Sequence, residues 1–329
     1  MTAPRSNAAL VNAPPTTEKF RRHLTELAER ERRETQPPQP EVFAVMRAFA
    51  ARARFVSVQG VRHHVYEYGP ADGPAVLLLH GWDCSSYWFY RLAPALGDRG
   101  FRVVAFDFRG HGFSDSAVDD RYDLPTLVQD TLLLADALGI GTFDLVSFSL
   151  GSAVALLVGA QAPERVGRQV VMNFGLFNYG PLQARLLPSI LKVIFDTLRR
   201  IPSKTLVYRY VSATLSQREV PWQDVEMAFT SLVYCDSRAA FLAVTDLVRP
   251  ERMAQIQHAA AQAAPTLVIT GEFDAVVPFA DSERLAQTLP TAQLHVLLRT
   301  GHLVLFERPD EIERLVSDWL YAFPIGTVP

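Results

Sequence analysis

Hydrophobic positions along the chain fall into short runs from Phe55 onward: Phe55–Val58, His64–Tyr68, Val76–Leu79, Val103–Phe106, Phe143–Val146 and Val170–Met172. Runs of this length suit strands, and the near-continuous ones suit strands covered on both faces. The first two read as an antiparallel pair. Between the others lie stretches of helical periodicity, among them Leu124–Leu138 and Ala153–Ala162. Such alternation implies parallel strands joined by helical crossovers. After Asn173 it stops. Residues 174–264 hold three helix-length apolar-periodic pieces, Leu186–Leu198, Trp222–Tyr234 and Arg238–Leu247, punctuated by Pro181, Pro188, Pro202, Pro221 and Pro250. Thr266–Thr270 and Leu294–Leu298 then restore strands, each followed by a helix, the last ending near Tyr321. The chain therefore reads as α/β. A mostly parallel central sheet flanked by helices is expected over 55–173 and 265–329, with residues 174–264 inserted as a helical lid.

Residues 1–54 form a partly helical extension. Its Ala/Pro/Asn-rich start gives way at Thr17–Glu34 to a strongly charged stretch with a thin apolar line at Phe20, Leu24 and Leu27. That spacing predicts a helix with one narrow sticky edge. Pro37, Pro38 and Pro40 break it, and Val42–Ala53 resumes with a fuller apolar face at Val42, Val45, Met46 and Phe49. The second helix is expected to pack on the core. The first reads as a solvated face, with association into a homo-oligomer or contact with a membrane surface as the competing expectations.

Composition narrows the class. A formal net charge of −3 argues against a nucleic-acid partner, which would show a basic surplus. The two cysteines, Cys84 and Cys235, lack CxxC spacing and a nearby histidine cluster, so neither a disulfide framework nor a metal site is expected. The N-terminus does not read as an export signal, and no stretch approaches the ~20 apolar residues of a membrane span. A cytoplasmic protein is expected.

The segment Phe143-Asp144-Leu145-Val146-Ser147-Phe148-Ser149-Leu150-Gly151-Ser152 runs from an apolar strand into a helix through small residues. A serine there sits above the sheet, beside the free N–H groups of the helix start. Its hydroxyl needs a base. His302, in Thr300-Gly301-His302-Leu303, follows the last strand; Asp274, in Gly271-Glu272-Phe273-Asp274, follows the one before. Both fall at carboxyl ends of strands, on the rim that carries Ser149. Glu272 and Asp281 are rivals to Asp274 as the residue orienting His302.

These features resemble the α/β-hydrolase superfamily over about residues 55–175 and 262–323. Ser147-Phe148-Ser149-Leu150-Gly151 is similar to its G-x-S-x-G nucleophile elbow, with Ser147 in place of the first glycine, and the order Ser, Asp, His along the chain is the family's. Leu79-His80-Gly81-Trp82 resembles its oxyanion turn, which implies that the backbone N–H groups of Trp82 and Leu150 form the oxyanion hole. Asp107-Phe108-Arg109-Gly110-His111-Gly112-Phe113-Ser114 matches the family's D-x-R-G-x-G-x-S turn, whose role is to brace the site. A serine at the elbow disfavours epoxide hydrolase and haloalkane dehalogenase chemistry, which uses aspartate there. The resemblance implies acyl transfer by Ser149, His302 and Asp274, with no cofactor or metal. The aromatic residues around the turn and the lid, with Trp82, Phe148, Phe174 and Phe177 as pocket residues, favour an apolar small-molecule substrate. The expected activity is that of a carboxylesterase. Thioesterase and carbon–carbon bond hydrolase use the same triad, and a non-hydrolytic ligand-binding protein of this fold is the reading from another class.

Overall fold

Among the described residues two helices precede the sheet, α1 (Glu18–Arg33) and α2 (Gln39–Ala50). The computed structural model describes residues 16–36, 39–201 and 203–322; the Ala/Pro/Asn-rich start, Pro37, Pro38 and Pro202 lie outside them. Pro40 falls in the first turn of α2, where its missing N–H costs no helical bond.

Eight strands follow: β1 (Ala53–Val58), β2 (Val61–Tyr68), β3 (Ala75–Leu79), β4 (Arg102–Phe106), β5 (Phe143–Phe148), β6 (Val166–Met172), β7 (Thr266–Gly271) and β8 (Ala292–Leu297). They form one sheet in the order β1-β2-β4-β3-β5-β6-β7-β8. The β1–β2 and β2–β4 pairings are antiparallel and the rest parallel, as the alternating pattern predicts. Each central strand feeds both faces. Val76 and Leu78 of β3 enter one apolar cluster, while Leu77 and Leu79 enter the other.

The helices linking the first six strands are α3 (Leu92–Asp98), α4 (Leu124–Ala137) and α5 (Leu150–Gln161). Asp123 caps α4 by accepting the Thr126 N–H at 3.0 Å, and Pro125 follows in the first turn. Between β6 and β7 come α6 (Pro181–Arg200), α7 (Lys204–Leu215), α8 (Trp222–Tyr234), α9 (Ser237–Leu247) and α10 (Pro250–Ala260); α11 (Phe279–Thr288) joins the last two strands, and α12 (Val304–Glu307) and α13 (Pro309–Ala322) close the chain. The helix α7 escapes sequence periodicity because only Val207 on it is buried. Although it precedes β7 in the stretch read as lid, α10 packs on α5 and α11 and so belongs to the layers covering the sheet.

The extension departs from a solvated arm. In α1, Phe20, His23 and Leu27 are buried, and Phe20 and Leu27 join the core cluster that α2 supplies with Val42, Phe43, Met46 and Phe49. Three of its charged residues bond to the body of the protein. Arg30 makes a bidentate pair with Glu226 of α8 at 3.0 Å, Glu26 accepts from Tyr234 at 2.6 Å, and Lys19 donates to the Gly110 carbonyl at 3.0 Å. The thin apolar line of α1 is thus an intramolecular seam.

Candidate active site

Ser149 stands between β5 and α5 with φ at +51°, a conformation rarely adopted by residues other than glycine. Close backbone packing imposes the turn. A Cβ on Gly151 would lie 2.3 Å from the Leu79 carbonyl oxygen, so strand and helix approach only because that residue is glycine. Ser147, at the position of the usual first glycine, is fully buried: its hydroxyl donates to the Val170 carbonyl at 2.8 Å and lies 3.1 Å from the Ser152 hydroxyl. The departure at Ser147 is therefore absorbed by hydrogen bonds on the strand side, while Ser149 stays partly exposed.

Asp274 and His302 meet. The imidazole Nδ1 lies 2.8 Å from Asp274 Oδ2, with the histidine 7% and the aspartate 6% exposed. Asp274 Oδ1 accepts the N–H groups of Val276 and Val277 at 2.8 and 2.9 Å, and Oδ2 accepts the Asn173 amide at 2.5 Å. Burial works to raise the Asp274 pKa, but the neighbouring His302 and the backbone donors overcome it and hold the carboxyl below its ordinary value. Nδ1–H bonded to the carboxylate leaves Nε2 as the basic nitrogen. The rivals are engaged elsewhere: Glu272 accepts the Arg299 N–H at 2.8 Å, and Asp281 pairs with Arg284.

Three supports of this pair are not legible as motifs. Asn173, at φ +48°, also donates to the Gly301 carbonyl at 3.2 Å. The backbone N–H of His302 donates to the Leu215 carbonyl at 2.7 Å, at the end of α7. Glu307 accepts the Gly301 N–H at 3.0 and 3.2 Å and the Gln217 N–H at 2.8 Å, buckling the histidine loop to the segment after α7. The only sequence hint was position: Asn173 follows a strand on the same rim.

The His80-Gly81-Trp82 turn lies against the serine. A Cβ on Gly81 would stand 3.1 Å from Ser149 Cβ, which places the Gly81–Trp82 backbone beside the elbow. Leu150 opens α5, where a backbone N–H has no acceptor within its helix. His80 holds this turn, accepting the Phe108 N–H at 2.9 Å, with Nδ1 2.8 Å from the Gly81 carbonyl. Asp107 braces it from below, accepting from Ser86 at 2.7 Å and Phe113 at 2.8 Å and lying 2.9 Å from His64. The Trp82 indole reaches the helical insertion, donating to the Ala240 carbonyl at 2.6 Å and packing edge-on to Phe195 at 4.6 Å. Its neighbour Asp83 is buried and paired with Arg199 of α6; burial outweighs that pairing and pushes the carboxyl up to about 6.

The expected pocket residues do not converge. Phe148 is 1% exposed, stacks on Trp88 at 5.3 Å and backs the His302 ring at 5.1 Å. Phe174 is equally buried, edge-on to Phe177 at 5.5 Å. Phe177 itself lines a cavity of about 500 Å³ with Tyr179, Met253 and Arg284, and none of Ser149, Asp274 and His302 borders it. Among the described residues no cluster of histidine, cysteine or carboxylate side chains is placed to hold a metal ion, and Cys84 and Cys235 are buried free thiols.

Residues 74–309 match the family described as alpha/beta hydrolase fold. The chain is 30% identical over 294 residues to a 2-hydroxy-6-oxononadienedioate/2-hydroxy-6-oxononatrienedioate hydrolase of Burkholderia vietnamiensis, covering 84% of this chain and 98% of that protein. It is 28% identical over 276 residues to a 2-hydroxymuconate semialdehyde hydrolase of Pseudomonas putida, covering 81% and 93%. Among solved structures, a mutant of the meta-cleavage product hydrolase CumD, an enzyme of Pseudomonas fluorescens, superposes with a TM-score of 0.66 at 25% identity, over 82% of this chain and 98% of that one.

Proposed function

The chain belongs to the α/β-hydrolase family, and on that footing we propose that it is a serine hydrolase cleaving an ester of an apolar small molecule. The observation that carries the mechanism is the 2.8 Å Asp274–His302 contact on the rim that also bears Ser149 at its positive-φ elbow. His302 Nε2 takes the Ser149 proton as Oγ attacks the carbonyl carbon, and the oxyanion is received by the Trp82 and Leu150 N–H groups. Each such fixed donor supplies ~3 kcal/mol to the transition state. His302 then protonates the leaving alcohol, and the acyl-enzyme is released when the same histidine activates water. Asp274, kept ionised, stabilises the imidazolium formed in both halves.

A second reading, hydrolysis of a carbon–carbon bond, is favoured by the relatives named above. The relative from Burkholderia vietnamiensis acts on a dioate, a substrate with two carboxylates. In this chain Arg199, the arginine that reaches the loop carrying Trp82, is already paired with Asp83 and Asp196, which favours a neutral substrate. Labelling with a fluorophosphonate, followed by peptide mass mapping, tests the nucleophile: modification at Ser149 is expected, and modification elsewhere overturns the assignment. Turnover of p-nitrophenyl butyrate, abolished in Ser149→Ala, is expected to exceed turnover of a 2-hydroxy-6-oxo-dienoate. The reverse ranking selects the carbon–carbon reading. Absence of turnover on both, with thermal stabilisation by an apolar ligand, selects a binding protein.

A further inference from the structure

The insertion carries an amphipathic surface with no partner among the described residues. On α6, Leu182, Leu186, Ile190 and Val193 recur at one helical face and are 69%, 47%, 52% and 66% exposed. The opposite face is accounted for: Leu198 is buried in a small cluster with Val207 of α7 and Leu232 of α8. On α7, Leu206 and Tyr210, one turn apart, are likewise exposed. A monomeric surface tolerates scattered apolar residues, but a stripe of four along one helix with a pair on its packing neighbour marks an interaction site.

Charge says what kind. Residues 181–215 hold six Lys and Arg and one acidic residue, in a chain whose net charge is −3. Lys192, Arg199 and Lys204 are paired with Asp196, Asp83 and Glu226. Arg185, Arg200 and Arg209 are exposed and make no ion pair among the described residues. Arg185 borders the apolar stripe of α6, Arg200 ends the helix, and Arg209 adjoins Tyr210. An isologous pairing of two copies through this face would set the same arginines against each other. A helix with a leucine-rich face, flanking arginines and no acidic rim instead matches an anionic lipid surface.

We propose that α6 and α7 dock the enzyme on anionic membranes, with Leu182, Leu186, Ile190 and Val193 entering the headgroup boundary and Arg185, Arg200 and Arg209 contacting lipid phosphates. The test uses the full chain, co-sedimented with vesicles of phosphatidylglycerol and phosphatidylcholine or of phosphatidylcholine alone. Partition onto the anionic vesicles is expected to be at least about tenfold stronger and to weaken with salt. Combining Leu186→Ser, Ile190→Ser and Val193→Ser is expected to lower it by about tenfold or more. Combining Arg185→Glu, Arg200→Glu and Arg209→Glu is expected to abolish the preference for anionic lipid. All six side chains are exposed, so turnover of a soluble p-nitrophenyl ester should be unchanged and serves as the folding control. No binding to either vesicle overturns the proposal, as does binding indifferent to both variant sets. A wild type that ignores vesicles but sediments as a dimer, converted to monomer by the serine variants, assigns the face to self-association.

Discussion

Replacing Glu307 tests whether the histidine loop is positioned from the insertion side. Its buried carboxylate accepts backbone N–H groups from Gly301, the residue before His302, and from Gln217, just beyond α7. Hydrogen bonds to a charged acceptor are worth ~1.5–3 kcal/mol each, so Glu307→Ala removes about 3–6 kcal/mol of local restraint and strands two donors. Glu307→Gln keeps one acceptor oxygen and should lose roughly half. The His302 backbone is then held mainly through the Leu215 carbonyl, itself at the end of the segment that Glu307 anchored. A displacement of ~1 Å at a catalytic group costs on the order of 100-fold. Steady-state turnover of a p-nitrophenyl ester should show kcat down about 10–100-fold in Glu307→Ala, an intermediate value in Glu307→Gln, and KM within about threefold. A Glu307→Ala enzyme that melts earlier but retains wild-type kcat while folded would refute the positioning argument and leave Glu307 a purely structural buckle.

Asn173→Ala should lower kcat about tenfold by removing an amide donor from the Asp274 carboxylate, a bond worth ~1.5–3 kcal/mol. Asn173→Asp sets a second carboxyl where that amide sat, so its deficit should be worst at alkaline pH and shrink as the pair takes up a proton; a deficit independent of pH speaks against it. Leu27→Ala, at 2% exposure in the α1 seam, should cost ~2–5 kcal/mol in urea unfolding without altering activity per folded molecule, and a cost under about 1 kcal/mol would show α1 to be peripheral. Burial holds His23, His80 and His111 neutral down to about 3, 4 and 3. The unfolded chain binds those protons near pH ~6.5, so this stability is complete above that pH and declines as pH falls toward 4, by up to ~1.4 kcal/mol per unit for each histidine. Urea midpoints at pH 7.5 and 5.5 check the sign; equal midpoints contradict it.

Periodicity carried the fold a long way, because a strand between two helical layers must be apolar on both faces and a crossover helix must be periodic. The runs at Val76–Leu79, Phe143–Val146 and Thr266–Thr270 could hardly be anything else. The placement of the candidate site was legible for a related reason: Ser149, Asp274 and His302 each follow a strand, and parallel strands deliver their carboxyl ends to one rim. What sequence could not supply was pairing between segments far apart in the chain. Arg30 with Glu226, Asn173 with Asp274 and Glu307 with Gln217 are joined only by the fold. The same gap explains α1, where a thin apolar line among charges looks alike whether solvent or a groove lies opposite. It also explains the pocket residues, since Phe148 and Phe174 are aromatic near the site yet buried behind it. The insertion is the sharpest instance. Read as a cover that selects substrate, it also supplies the Leu215 carbonyl to the His302 backbone, while α7 exposes Leu206 and Tyr210 on its outer surface. A single helix therefore connects an outward-facing apolar surface to the backbone of His302, the proposed base. A partner that shifts α7 would act on the histidine loop both through the Leu215 carbonyl and through the Glu307 bridge between Gln217 and Gly301.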